Sequence, residues 1–213
     1  MNASEWTCLW YLRLNGYFTM PNFIAHGRSA AKTDVDVLAI RLEHSHEATF
    51  QDDRARLKIP DRGTDVVLTE AKQGGVKTLN SPWANRQGRA LDYVLRRVGV
   101  VPPNQVEGVA SELYSKRNAT GDGFTVRVCA FGESASNDLL SQGVTFVNWK
   151  GVFEFIHMRF HDNSEFKRDN ACWDDFGKYL WQNVESCPPT NCKRFFQEWD
   201  RRGGLAAPLL EHR

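Results

Sequence analysis

Nowhere in the 213 residues is there a run of about 18 or more uncharged apolar residues. The apolar stretch near the start carries Glu5 and Arg13, so neither a membrane span nor a signal peptide is expected. An excess of one charge is missing too: 27 basic against 26 acidic side chains leave a net charge of +1. Composition alone therefore announces no nucleic-acid binder, although a local basic groove is all that such binding requires. Cysteine is scarce, with five residues at Cys8, Cys129, Cys172, Cys187 and Cys192. An odd number fits free thiols in a reducing compartment better than a disulfide framework, and the cytoplasm is the expected location. Internal repeats and low-complexity linkers are absent as well, and nothing marks a domain boundary.

What is present suffices for one sizeable core, since 41% of the residues are hydrophobic. Trp6, Leu9, Trp10 and Leu14 recur at three- and four-residue intervals and predict a helix from Ser4 to Asn15, capped by Ser4 and stopped by Gly16. "YFTMPNFIAH" reads as a strand whose Pro21 puts it at an edge or a bulge. In the strand "DVDVLAIRLE", alternation sets Asp34, Asp36, Leu38 and Ile40 on one face and Val35, Val37 and Ala39 on the other. The charged interval from His44 to Thr64 reads as a loop with little structure, and loops of that length are usually functional or disordered.

"DVVLTEAKQ" resumes as a strand, and "WANRQGRALDYVLRRVG" as one helix ending near Gly99. "FTVRVCAFG" and "VTFVNW" are strands with a short helix between them, followed by helices in "KGVFEFIHMRF", from Phe166 to Val184 and from Lys193 to Arg202. The order predicts an α/β fold, a mixed central sheet flanked by helices. One domain over residues 1–213 is expected, with a core of about 4–160 and a helical extension of about 161–213.

The stretch "VVLTEAKQG" begins as core and ends in charge. Side chains two apart on a strand share a face, so Glu70 and Lys72 follow Val66 and Leu68, while Ala71 follows Val67 and Thr69. A face that turns from apolar to charged describes a core surface opening into a cleft. Asp65 lies roughly 17 Å back along the strand on the other face and cannot share an ion with Glu70. Asp36 can, if its strand lies alongside, where Cβ atoms are about 5 Å apart. Two carboxylates at that separation favour a shared proton or a divalent cation, and the neighbouring lysine favours the cation. Asp34, two residues from Asp36, is its natural rival.

Asp36, then Glu70-x-Lys72 at a strand end, behind a helix bearing Glu5, resembles the PD-(D/E)XK nuclease superfamily, the restriction-endonuclease-like phosphodiesterases. The resemblance covers the order of elements from about Ser4 to Trp149, and Val35 stands where the family name has proline. It implies a restriction-endonuclease-like fold and a DNA endonuclease, with DNA favoured over RNA as partner. It further implies that Asp36, Glu70 and the backbone carbonyl of Ala71 bind Mg2+, with Mn2+ a substitute. Lys72 would position or deprotonate the attacking water, Gln73 would shape the site, and Glu5 would join the metal or water shell. A hard cation on oxygen ligands supplies what phosphodiester hydrolysis needs, charge compensation and a nucleophilic water. The small size implies that specificity comes from a homodimer or a partner protein. The alternative is a non-catalytic nucleic-acid-binding or assembly module with the same fold.

Other candidates carry less. His44 and His46 in a charged loop are more often solvated than metal ligands. Cys187 and Cys192 permit a zinc knuckle, but Cys172 and His212 are weak partners for it. Asn118-Ala119-Thr120 matches a glycosylation acceptor that lacks a secretion signal. Arg86, Arg89, Arg96 and Arg97 recur near helical spacing and suit either a phosphate backbone or a solvated face. Lys193, Arg194, Arg201 and Arg202 could extend that surface.

Overall fold

Asn2, rather than Ser4, starts the first helix. Its side chain accepts the Glu5 N–H at 3.0 Å while the Glu5 carboxylate accepts the Asn2 N–H at 2.9 Å. This reciprocal box satisfies two amides that a helix start leaves without partners. Helix α1 runs Ala3–Leu14 and buries Cys8, Leu9 and Leu12 completely. Gly16, at φ 80°, turns the chain into the first strand, a left-handed conformation that favours glycine. The structure, a computed structural model, describes residues 1–26, 32–45, 52–84, 86–162, 164, 174–188, 190–192 and 194–195.

The elements continue as β1 (Phe18–His26), β2 (Lys32–Arg41), α2 (Arg54–Leu57), β3 (Thr64–Ala71) and α3 (Ser81–Ala84). Next come α4 (Ala90–Val98), α5 (Val106–Lys116), β4 (Asn118–Gly121), β5 (Phe124–Gly132) and α6 (Asn137–Ser141). β6 (Thr145–Asn148), α7 (Trp149–His161) and α8 (Asp175–Glu185) follow. The six-stranded sheet has the order β1-β2-β3-β5-β4, with β6 pairing β5. β1, β2 and β3 form an antiparallel meander, and β5 runs parallel to β3 after the crossover through α3 to α5. Such a crossover is what parallel neighbours require. Pro21 lies on the edge strand β1, where its missing N–H costs the ladder nothing.

Two apolar layers hold the sheet. On one face Val37, Ala39, Val67, Ala71, Cys129 and Phe131 meet Leu9, Ile156, Phe160, Leu180 and Val184 from α1, α7 and α8. On the other, Val66, Leu68, Val126 and Val128 meet Leu91, Leu95, Val106 and Leu113 from α4 and α5. β3 and β5 are buried almost throughout, as the continuous apolar runs of central strands require. The mixed α/β architecture with flanking helices is thus as expected. Of the residues assigned to a helical extension, α8 joins the α1 and α7 layer, and most of the rest lie outside the described residues.

Several expectations are corrected. The helix expected from Trp83 to Gly99 is broken: α3 ends at Ala84, a 3-10 turn spans Arg86–Gly88, and Arg89 is left-handed at φ 51° before α4 begins. Arg86, Arg89, Arg96 and Arg97 therefore do not form one stripe. Arg89 pairs with Asp92 at 2.7 Å, and Arg97 donates to the Ile24 carbonyl and covers the Phe23 ring at 5.1 Å. The interval after His44 contains α2. Trp149 opens α7 instead of closing a strand. Helix α5 and strand β4 were not expected at all, and Asn118-Ala119-Thr120 is part of β4. Val35 packs in the same layer as Leu38, against strict alternation, opposite a stretch of β1 where Asn22 is left-handed at φ 47°.

At the end of β3 remote from Glu70, Asp65 is buried in a two-pronged pair with Arg127 at 2.9 and 2.7 Å. Tyr17 donates its hydroxyl to the same carboxylate, and Arg127 also donates to the Leu57 carbonyl. Burial, then the Asp65 charge, raises the Tyr17 pKa, so the phenol stays a donor. Arg127→Ala would leave Asp65 charged and unpaired, and is expected to cost about 3 to 5 kcal/mol of stability. Urea denaturation checks this, with Tyr17→Phe expected to lose about 1 kcal/mol.

Candidate active site

The pairing of β2 with β3 runs from Arg41 and Asp65 to Val37 and Thr69. At that last pair the Thr69 hydroxyl accepts the Val37 N–H at 2.9 Å and donates to the Val37 carbonyl at 2.8 Å. Beyond that pair the ladder is replaced by a side chain: Asp36, one residue past Val37, accepts at Oδ2 the N–H of Ala71, two residues past Thr69, at 2.7 Å. The N–H and C=O of a strand residue point to the same edge. The Ala71 carbonyl therefore opens toward the strand that carries Asp36.

Glu70, 1% exposed, follows Val66 and Leu68 on the expected face. The chain beyond β3 folds back over it, and the Asn80 N–H donates to Glu70 Oε2 at 2.9 Å. Glu70 Oε1 forms an ion pair with Lys72 Nζ at 3.0 Å, but this buried oxygen has no well-aligned hydrogen bond. Lys72 donates instead to Asn80 Oδ1 at 3.2 Å, with its side chain 40% exposed. Its backbone is pinned on both sides. The Lys72 N–H donates to the Phe131 carbonyl at 2.9 Å, and the Trp149 indole donates to the Lys72 carbonyl at 2.8 Å.

Burial pushes the Asp36 carboxyl up to about 6; Glu5 and Glu70 add to the rise, while the Ala71 N–H and Lys72 oppose it. Asp36, Glu70, Ala71 and Lys72 are thus gathered at one end of the sheet. Glu5 is near enough to act on Asp36, yet both its oxygens serve Asn2, at 2.9 and 2.7 Å. Gln73 is exposed in the bend after the strand. Asp34 pairs with Ile24 across β1 and β2, two residues beyond Asp36.

Among the described residues, no group of three or more His, Cys, Asp or Glu side chains stands ready for a metal. Two carboxylates and a main-chain carbonyl do not constitute such a group, and the chemistry of this donor set is that of a hard cation. Glu70 Oε1, without an aligned hydrogen bond and within electrostatic reach of the Asp36 carboxyl, fits a divalent ion. His44 is exposed in a turn, while His46, Cys172, His212, Lys193, Arg201 and Arg202 lie outside the described residues. Cys187 is buried and Cys192 partly so, both as free thiols. No described helix is long and apolar enough to cross a membrane.

Sequence reasoning did not find Asn80 or Trp149. Asn80 precedes Ser81-Pro82, a helix-start signature that marks its place but not its aim. The Trp149 indole reaches Lys72 only because β6 and α7 fold beside β5, which no local spacing encodes. No protein-family model, curated protein or solved structure matches this chain.

Replacing Asp36 tests whether the site is held against its own electrostatics. A folded-state pKa raised from 3.8 to about 6 means that the stability present below about pH 4 is lost as pH rises through about 6. Asp36→Asn, which can still accept the Ala71 N–H, is expected to be about 1 to 2 kcal/mol more stable than wild type at pH 8, after solvent screening. The advantage should close as pH falls from 6 toward 4, read from paired urea melts in chelator.

Proposed function

We propose that this chain is a divalent-metal-dependent nuclease that hydrolyses phosphodiester bonds, with DNA favoured over RNA. The observation that carries the reading is Glu70 Oε1, buried, without a hydrogen bond, and 3.0 Å from the only partly covered Lys72. A buried carboxylate oxygen that has one cation beside it but no aligned hydrogen bond can still accept a second cation. Support also comes from the order of elements, α1 with the meander β1 to β3 and then helices leading to β5 beside β3. That order and the Asp36, Glu70-x-Lys72 pattern underlie the resemblance to PD-(D/E)XK nucleases and the restriction-endonuclease-like fold proposed here.

Asp36, Glu70 and the Ala71 carbonyl would hold Mg2+ or Mn2+, which when bound supplies charge compensation on the phosphate and a more acidic water. The chain's own residues do the rest. Asn80 fixes Glu70 Oε2 and the Lys72 amine together, so the carboxylate and the cation keep one relative position. Lys72 Nζ, reaching solvent, donates to a phosphate oxygen or to the water that attacks it. The water oxygen bonds to phosphorus as its proton passes to solvent, the ester P–O bond breaks, and the leaving oxygen takes up a proton from solvent. Trp149 holds the Lys72 backbone so that the amine does not swing away. Glu5 acts through the field it exerts at Asp36, and Gln73 flanks the site from its exposed bend. A second copy or a partner protein would supply specificity.

Cleavage of supercoiled, linear and single-stranded DNA and of RNA, with Mg2+ or Mn2+ and then with chelator, tests the reading. Lys72→Ala is expected to lose about 100-fold or more in rate while its circular dichroism stays that of the folded wild type. A pure wild-type protein that binds DNA but cuts nothing would instead support the non-catalytic binding module.

A further inference from the structure

Away from the proposed centre, helix α7 carries two histidines one turn apart, His157 and His161. Residues four apart on a helix project from the same side. The two rings are 4.6 Å apart, centroid to centroid, at 71°. His157 is 2% exposed and its ring lies 5.4 Å from that of Phe195, in an apolar setting. In both residues Nε2 is buried and has no hydrogen-bond partner.

A buried ring nitrogen normally finds a partner, because leaving it without one forfeits its hydration for nothing. One orphan could be an ordinary core histidine. Two, on adjacent rings of one helix face, share an unmet need for the same kind of group. Neutral imidazole nitrogens at this spacing are a recurring pair of ligands for borderline divalent metals, and burial keeps the ring of His157 neutral.

We propose that His157 and His161 form a second metal site, a two-imidazole clip for a borderline transition-metal dication such as Zn2+. It is independent of the nuclease reading, and its donors differ from the oxygen set at Asp36 and Glu70. Among the described residues no third His, Cys, Asp or Glu completes it, so solvent fills the remaining positions, reached from the half-buried His161 side. Its effect would be to tie the last two turns of α7 together beneath Phe195.

Co2+ is the probe, titrated into the full chain in excess Mg2+, which occupies oxygen sites without competing for imidazole. Wild type should bind one equivalent with ligand-field bands and no sulfur-to-cobalt charge-transfer band. His161→Ala should weaken binding by at least about tenfold. Cu2+ electron paramagnetic resonance of the wild type gives an arm that needs no variant, and should show coupling to two imidazole nitrogens. The proposal is overturned by no binding in excess Mg2+, by unchanged affinity in His161→Ala, by a thiolate band implicating Cys187 or Cys192, or by coupling to fewer than two nitrogens.

Discussion

The antiparallel pairing of β2 with β3 ends at Val37 and Thr69, and everything proposed for the site depends on that ending. Had the ladder continued one step, Ala71 would have bonded to the main chain of β2 and its carbonyl would have been used up. Instead the Asp36 carboxylate takes the Ala71 N–H, at 2.7 Å. The substitution keeps a buried amide satisfied while bringing a carboxylate and a main-chain carbonyl to the same opening. Thr69 makes the ending firm, since its hydroxyl bonds both the N–H and the carbonyl of Val37.

The two ends of β3 treat their acids in opposite ways. Asp65 is matched by Arg127 with two short hydrogen bonds and by Tyr17, a closed network with the character of structural support. Asp36 and Glu70 lack such a match. Asp36 is pushed toward its neutral form, and Glu70 keeps one oxygen without a hydrogen bond. Charge left incompletely compensated in a buried place is costly, and such places tend to be functional. The contrast between Asp65 and Glu70, at the two ends of β3, is an internal control. The chain that fully pairs Asp65 leaves Asp36 and Glu70 less completely compensated.

Period-two alternation made the strand faces of β3 legible: Val66, Leu68 and Glu70 on one side and Val67, Thr69 and Ala71 on the other are a consequence of strand geometry alone. The helix face of α1 and the edge position of β1 were legible for similar reasons, a 3.6-residue period and a proline. What escaped was long-range or conformational. Arg89 breaks a helix whose side chains fit helical spacing, because its backbone is left-handed, and no composition rule forbids arginine there. The α5 region "QVEGVASELYSK" has a weaker apolar stripe and an internal Gly108, which masked a helix that tertiary packing on β4 and α4 completes. Asn80 and Trp149 reach Lys72 from eight and seventy-seven residues away, so only the fold could reveal them. The pair His157 and His161 was not singled out in the sequence, because its significance lies in two nitrogens without hydrogen-bond partners, a property of packing.

Direct measurement of Mn2+ binding by electron paramagnetic resonance addresses the central claim, that Asp36 and Glu70 with the Ala71 carbonyl form a site for a hard divalent cation. The account predicts one saturable Mn2+ per wild-type chain, displaced by Mg2+, and lost in Glu70→Gln and in Asp36→Asn while both variants keep wild-type circular dichroism. Mn2+ binding that is absent from the folded wild type, or equally strong in both variants, would contradict it.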